Sequence, residues 1–231
     1  MGSRAVDSLP MAGVRKCGRW TSGIWLIALA AVFSLAAVAQ DARVTPADGF
    51  DFPVGKPNAE GYYKSRGLRL RGPQHFGEDW NGRAGGDSDL GDPVYAIAEG
   101  IVTFAYNVRG GWGNVVLTRH AYRDPVSNQM KFIDTLNGHL DKILVRTGQP
   151  VKRGQQIGTL GNNFGMYPAH LHFEMRHDLS IGMLRNNAPC DTLHWADPTQ
   201  FINQHRRLNR EMRPVPVPTG TYQEYKGCKG L

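Results

Sequence analysis

The chain has 231 residues, 41% hydrophobic and 20% charged. This excludes a disordered chain and leaves room for one good-sized domain with appendages. Its formal net charge is +7. Of that, +3 falls in the first 39 residues (Arg4, Arg15, Lys16 and Arg19 against Asp7), so the rest carries +4. Those charges are scattered, with no basic run beyond HRRLNR at 205–210. That argues against a nucleic-acid partner and suits an anionic surface such as an envelope polymer.

In chain order, the first segment is a leader. RKCGRWTSG is basic, IWLIALAAVFSLAAVA is apolar, and Ala37-Val38-Ala39 is a small-x-small site before Gln40. Together they describe a secretory signal peptide over residues 1–39. Starting at Met11 gives a leader of more ordinary length. The apolar run Ile24–Ala39 has 16 residues, fewer than the roughly 20 of a spanning helix, so the expected outcome is cleavage rather than anchoring. Cys17 then leaves with the leader. Cys190 and Cys228 remain, an even count that in an exported chain suggests one disulfide tying down the C-terminal tail.

Residues 40–71 are polar and broken by Pro and Gly, and read as an N-terminal extension laid across the domain. From Pro73 the pattern turns to β. PVYAIA (93–98), GIVTFAYN (100–107), NVVLTRH (114–120), KFIDTLNGHL (131–140) and QQIGTLG (155–161) are short, β-branched or aromatic, and bounded by turn residues. GQPVKRGQQIG (148–158) reads as a hairpin or corner. No segment here sustains a 3.6-residue period, so the domain is expected to be mainly antiparallel β. DPTQFINQHRRLNREM (197–212) carries a short helix with Asp197 as N-cap and Pro198 at the first helical position. RPVPVPTG (213–220) is extended.

PAHLHFEM (168–175) carries the first chemical signal. As a strand it puts His170, His172 and Glu174 on one face and Leu171, Phe173 and Met175 on the core face. Same-face neighbours stand about 7 Å apart, so one histidine can bind a metal while the other reaches over the reacting atom. For Glu174 a solvent-facing place is slightly favoured over a partner to the site. GPQHFGEDWNG (72–82) supplies His75 and Asp79, four apart. One His and one Asp here plus one His from the strand give three N/O ligands, the number a catalytic zinc site uses while leaving a position open. TLNGHL (135–140) adds His139 at a strand end. His120, His177, His194 and His205 lack such framing and are assigned structural or solvent roles. Trp112, among Gly110, Gly111 and Gly113, sits in a tight turn near the groove, as a packing anchor or as a groove wall.

Over about Gly72 to Met175 the ordered set HFGEDWNG, GDPVYAIAEGIVTFAYN, GGWGNVVLTRH, NGHL, GQPVKRGQQIGTLGN and PAHLHFE resembles the lysostaphin-type (LytM-like) zinc metallopeptidases of bacterial cell walls. The resemblance implies a mainly β, antiparallel domain of the lysostaphin/LytM type, akin to the duplicated hybrid motif. It implies one Zn2+ per chain held by His75, Asp79 and His172, with His139 and His170 as the non-ligand catalytic pair. It implies a catalytic domain over residues 72–180 and a C-terminal extension over 181–231. The implied function is an exported, periplasmic or cell-wall endopeptidase cutting peptidoglycan stem peptides or cross-bridges, monomeric and free of the membrane once the leader is cut. The alternative is an inactive relative that binds peptidoglycan or activates another wall hydrolase. The chain departs from the family pattern at Asn137, where a tyrosine is common, at Pro168-Ala169, where Gly-Pro is common, and in an expanded 83–91 segment. GQPVKRGQQIG also resembles the turn of lipoyl or biotinyl carriers, but Lys152 lacks the usual flanking methionine.

Overall fold

The computed structural model describes residues 42–69, 75–183 and 193–223. The expected leader, Cys190 and Cys228 lie outside the described residues, and so does the expected disulfide. No helix among the described residues is long and apolar enough to cross a membrane.

Thirteen strands form among the described residues, in order β1 (Arg43–Val44), β2 (Tyr62–Arg66), β3 (Glu78–Gly82), β4 (Pro93–Tyr95), β5 (Gly100–Asn107), β6 (Asn114–Arg123), β7 (Met130–Leu140), β8 (Lys142–Ile143), β9 (Pro150–Val151), β10 (Gln156–Thr159), β11 (Leu171–Arg176), β12 (Trp195–Ala196) and β13 (Val215–Pro216). The large sheet runs β2-β3-β11-β7-β6-β5-β9, with β12 on β11. A small sheet runs β4-β10-β8, and β1 pairs with β13. All these pairs are antiparallel. The expected β-class thus holds, and every expected strand segment contributes one. The 148–158 corner carries the chain from β9 on the large sheet to β10 in the small one.

The two faces of the large sheet are both covered, and they differ in chemistry. One face packs toward the small sheet. Val116 of β6, Ile133 of β7 and Leu171, Phe173 and Met175 of β11 join Val94 and Ile157 in the main core. The other face carries Val115, Leu117 and Leu136, covered by Trp112, Met183 and Tyr222. Beside them lies a buried ion pair, Arg119 to Asp134 at 2.6 Å. Arg119 also donates to the carbonyls of Pro218 and Leu179, which fastens the C-terminal tail over this face. The period of two puts His172, Glu174 and Arg176 on the same covered face as Asp134, since β11 pairs with β7 at Arg176↔Asp134 and Glu174↔Leu136.

The segment assigned as an N-terminal extension is built into the domain. Phe50 and Val54 are fully buried in the main core, Asp51 pairs with Arg153, and β2 lengthens the large sheet. The helix α1 (Pro198–Gln204) starts where expected: the Asp197 side chain accepts from Gln200 N–H. It covers only Pro198–Gln204 of the 197–212 segment, with Phe201 and Ile202 as its buried apolar anchors, His205 as its C-cap and Leu208 packed on the main core beyond it.

His120 is fully buried between the Glu99 carbonyl and the Thr135 hydroxyl, in keeping with a structural role. Burial pushes its imidazole from 6.5 down to about 4, against the Glu99 hydrogen bond, which raises it. Below pH 6.5 the unfolded chain takes up a proton that the folded chain refuses. Stability from this group is therefore complete above pH 6.5 and drains away as pH falls toward 4, by about 3 kcal/mol in total. Urea unfolding of the wild type and His120→Gln between pH 7 and 4 checks this: the variant should show the shallower loss.

Candidate metal centre and cleft

The β3/β11 register builds the centre. Asp79 lies directly across from His172, so both side chains leave the sheet on the same side. His75 precedes β3 and is held by a two-way backbone bridge to Arg69, at 2.7 and 2.8 Å. His75 Nε2, Asp79 Oδ1 and His172 Nδ1 then converge. The separations are 3.0 Å for His75–Asp79, 2.9 Å for His172–Asp79 and 3.1 Å for His75–His172. These three residues form a group able to hold a metal ion. His170 Nε2 stands farther off, 4.0 Å from Asp79 Oδ1.

The outer partners fix what the three atoms can be. His75 Nδ1 faces the Gly67 carbonyl at 2.9 Å, and His172 Nε2 faces Glu174 Oε1 at 2.9 Å. Both partners only accept, so each ring donates its N–H outward and turns a lone pair inward. Two imidazole lone pairs and a carboxylate oxygen pointing at one spot repel one another unless a cation sits there. A zinc ion at 2.0–2.1 Å from its ligands in tetrahedral geometry needs roughly 3.3 Å between ligand atoms, close to the spacing seen. The residues present therefore fit Zn2+. Without an ion the carboxylates draw protons onto the rings instead, and a metal bound there would displace them. Burial alone would raise the Asp79 carboxyl, but hydrogen bonds to His172 and His75 hold it well below the carboxylate range. Burial opposes charge on His172, yet Asp79 and Glu174 outweigh it and lift the ring to about 9.

Glu174 corrects the sequence expectation of a solvent-facing residue. It is 1% exposed. One oxygen holds His172; the other accepts from Arg176 Nε at 2.8 Å and Trp195 Nε1 at 3.0 Å. Burial would raise its carboxyl, but Arg176 and then His172 bring it down to about 2. It is an ionised outer partner of the kind that orients a metal-ligating imidazole.

Around the centre opens a cleft of about 240 Å³. His139 and His170 line it with their rings 4.8 Å apart. His139 Nδ1 faces the Trp112 carbonyl at 3.3 Å and His170 Nδ1 the Pro168 carbonyl at 2.8 Å, which leaves Nε2 of each ring available. Burial, then the neighbouring His172 and His170, push His139 down to about 3, so it is held neutral. Its backbone is left-handed, φ +60°, a conformation that side-chain-bearing residues adopt at a cost and that clusters at functional sites.

Trp112 forms a wall, stacked on His139 at 6.3 Å and edge-on to His172 at 5.3 Å. Asn163 donates to the Gly110 carbonyl and ties the Trp112 turn to the loop before His170. The expanded 83–91 segment braces that loop too, with Asp87 accepting from Ala169 N–H at 2.7 Å. Asn137 is buried and does not line the cleft.

Two wall residues, Tyr167 and Arg66, escape sequence reasoning. Tyr167 stands 5.2 Å from His139, ring to ring, but MYPAH carries no signal beyond an aromatic near a proline. Neither Tyr62, bonded to Asp92, nor Tyr63 lines the cleft.

Residues 74–189 match the model of peptidase family M23. Over 87 residues the chain is 38% identical to Lipoprotein NlpD of Yersinia enterocolitica, covering 38% of this chain and 79% of that protein. It is 30% identical over 123 residues to Peptidoglycan DD-endopeptidase ShyA of Vibrio cholerae, covering 52% of this chain and 26% of the other. It is 34% identical over 106 residues to Murein hydrolase activator NlpD of Salmonella typhimurium, covering 45% and 26%. The chain thus spans about a quarter of the length of the last two.

Proposed function

The chain belongs to peptidase family M23, and from that premise we propose that it is an exported zinc-dependent endopeptidase that hydrolyses peptide bonds of peptidoglycan. The observation that carries this reading is the inward convergence of two imidazole lone pairs and a carboxylate, each fixed by an outward partner. His75, Asp79 and His172 would hold the ion. Zn2+ held there supplies Lewis acidity, polarising an amide carbonyl and acidifying water.

The chain's own groups move the protons. Nδ1–H of His139 and of His170 is committed to a carbonyl, so Nε2 of each faces the cleft. One Nε2 takes a proton from the attacking water and hands it to the amine nitrogen as the C–N bond breaks, and the other, protonated, donates a hydrogen bond to the oxyanion that develops on the substrate carbonyl. The Trp112 and Tyr167 rings limit where the peptide can lie and shield the proton transfers from bulk water.

The name of the Salmonella relative, a murein hydrolase activator, motivates a second reading, a wall-binding activator without turnover of its own. Against it stand the convergence of His75, Asp79 and His172 and the His139–His170 pair beside it. Purified full chain, loaded with zinc, is incubated with wall sacculi, and released muropeptides are identified by mass spectrometry. New peptide termini support the endopeptidase. Zinc-loaded, folded protein that releases nothing by itself, yet speeds another hydrolase, supports the activator.

A further inference from the structure

We infer that Arg66 receives a free carboxylate of the peptide substrate, beside the bond that is cut, and so selects anionic wall peptides over neutral ones. This deepens the endopeptidase reading and rests on it.

The argument starts from strand periodicity. In TyrTyrLysSerArg (62–66) a regular strand would send Lys64 and Arg66 to one face. Lys64 lies across from Trp80, and its ammonium bonds Glu78 at 2.8 Å, on the side of the sheet away from the cleft. The register then shifts: Lys64 pairs with Trp80, but Arg66 pairs with Asp79, two residues of β2 spanning one of β3. This is a bulge at Ser65, which is pinned there by bonds to the Asp79 carbonyl and the Asn81 side chain. Bulges re-aim a side chain, and they concentrate beside active sites. Here the bulge turns Arg66 to the Asp79 side, and Arg66 lines the metal cleft.

Among the described residues nothing neutralises Arg66. Its side chain is exposed and makes no hydrogen bond or ion pair among the described residues. Asp79, its cross-strand neighbour, spends its carboxylate on His75 and His172. The other described side chains of the cleft wall are imidazoles and aromatic rings. With a dication bound and Asp79 as the one anionic ligand, the cleft would be cationic before Arg66 is counted, so a carboxylate gains more from the guanidinium than a neutral amide does. A planar fork of N–H donors matches a carboxylate with two parallel hydrogen bonds. The carboxylate can be the C-terminal one of a short stem peptide or a side-chain one next to the scissile bond.

The test uses the zinc-loaded full chain and its Arg66→Ala and Arg66→Lys variants. Substrates are one stem peptide with all carboxylates free, the same peptide amidated at its C-terminus, and the same amidated at its side-chain carboxylate. Expected for Arg66→Ala is a KM at least tenfold higher on the free peptide, kcat within threefold, zinc content unchanged, and no remaining preference for free over amidated peptide. Arg66→Lys should recover part of the KM. Whichever amidation alone reproduces the defect in the wild type identifies the carboxylate. A variant that keeps the wild-type preference overturns the assignment. If the wild type cleaves none of the peptides, the endopeptidase reading fails separately. The same peptides are then titrated by isothermal calorimetry: a free-over-amidated preference that Arg66→Ala abolishes keeps the Arg66 assignment, and equal binding ends it.

Discussion

His172→Ala should yield a folded protein that holds no stoichiometric zinc and has lost more than about a hundredfold of its wall-digesting activity. The substitution removes the central atom of the group: His172 Nδ1 lies within 2.9–3.1 Å of both other ligand atoms. His75 and Asp79 alone make two ligands, one fewer than catalytic zinc sites use. The fold should survive because the buried neighbours keep their partners. Glu174 retains Arg176 and Trp195, and Arg176 retains the Ile181 and Gly182 carbonyls. Metal analysis, thermal unfolding with and without added zinc, and digestion of sacculi read the three consequences separately. Zinc should raise the melting temperature of the wild type and leave the variant unmoved, since a ligand stabilises only the state that binds it. A variant that keeps one zinc per chain and digests as before sinks the ligand assignment.

The same residue shows how far strand periodicity reaches. HLHFEM announces a strand with a polar and an apolar face, and the structure puts Leu171, Phe173 and Met175 in the core as that pattern demands. What periodicity cannot say is whether the polar face meets water. Glu174 is buried because Trp195, the 181–182 backbone and the Arg119-anchored tail cover that face. Those segments are irregular or, like β12, only two residues long, and carry no repeating signal. Arg66 was hidden for a related reason: a single-residue bulge reverses which face a side chain takes, and Lys-Ser-Arg does not reveal it. Residues 40–71 looked like an appendage because proline and glycine dilute the pattern, yet Ala47, Phe50, Phe52, Val54, Ala59 and Tyr62 of this segment sit in the main core. Long-range register, not local propensity, brings Asp79 opposite His172 and so completes the group whose pieces are ninety-three residues apart.

His139→Asn should keep zinc and fold but lose kcat by about 10²- to 10⁴-fold, the usual scale of a positioned proton-transfer group. Asparagine is the informative replacement because of the backbone. His139 sits at φ +60°, where Asn is tolerated and alanine is strained. An alanine variant would mix lost chemistry with backbone strain at the point where β7 meets the Trp112 turn through His139 N–H and the Trp112 carbonyl. Asn leaves that hydrogen bond in place and removes only the imidazole Nε2. His170 has no such backbone constraint, so His170→Ala serves as its counterpart and should also keep zinc while lowering kcat. The measurement is kcat and KM on one wall peptide with zinc content determined on the same samples. Loss of zinc from His139→Asn would make His139 a ligand rather than a proton carrier. An unchanged kcat would remove it from the reaction altogether. A fall in kcat at constant zinc in both variants leaves the division of labour that the geometry suggests: three groups converging on the ion, and two imidazoles, anchored through Nδ1, working on the substrate side of it.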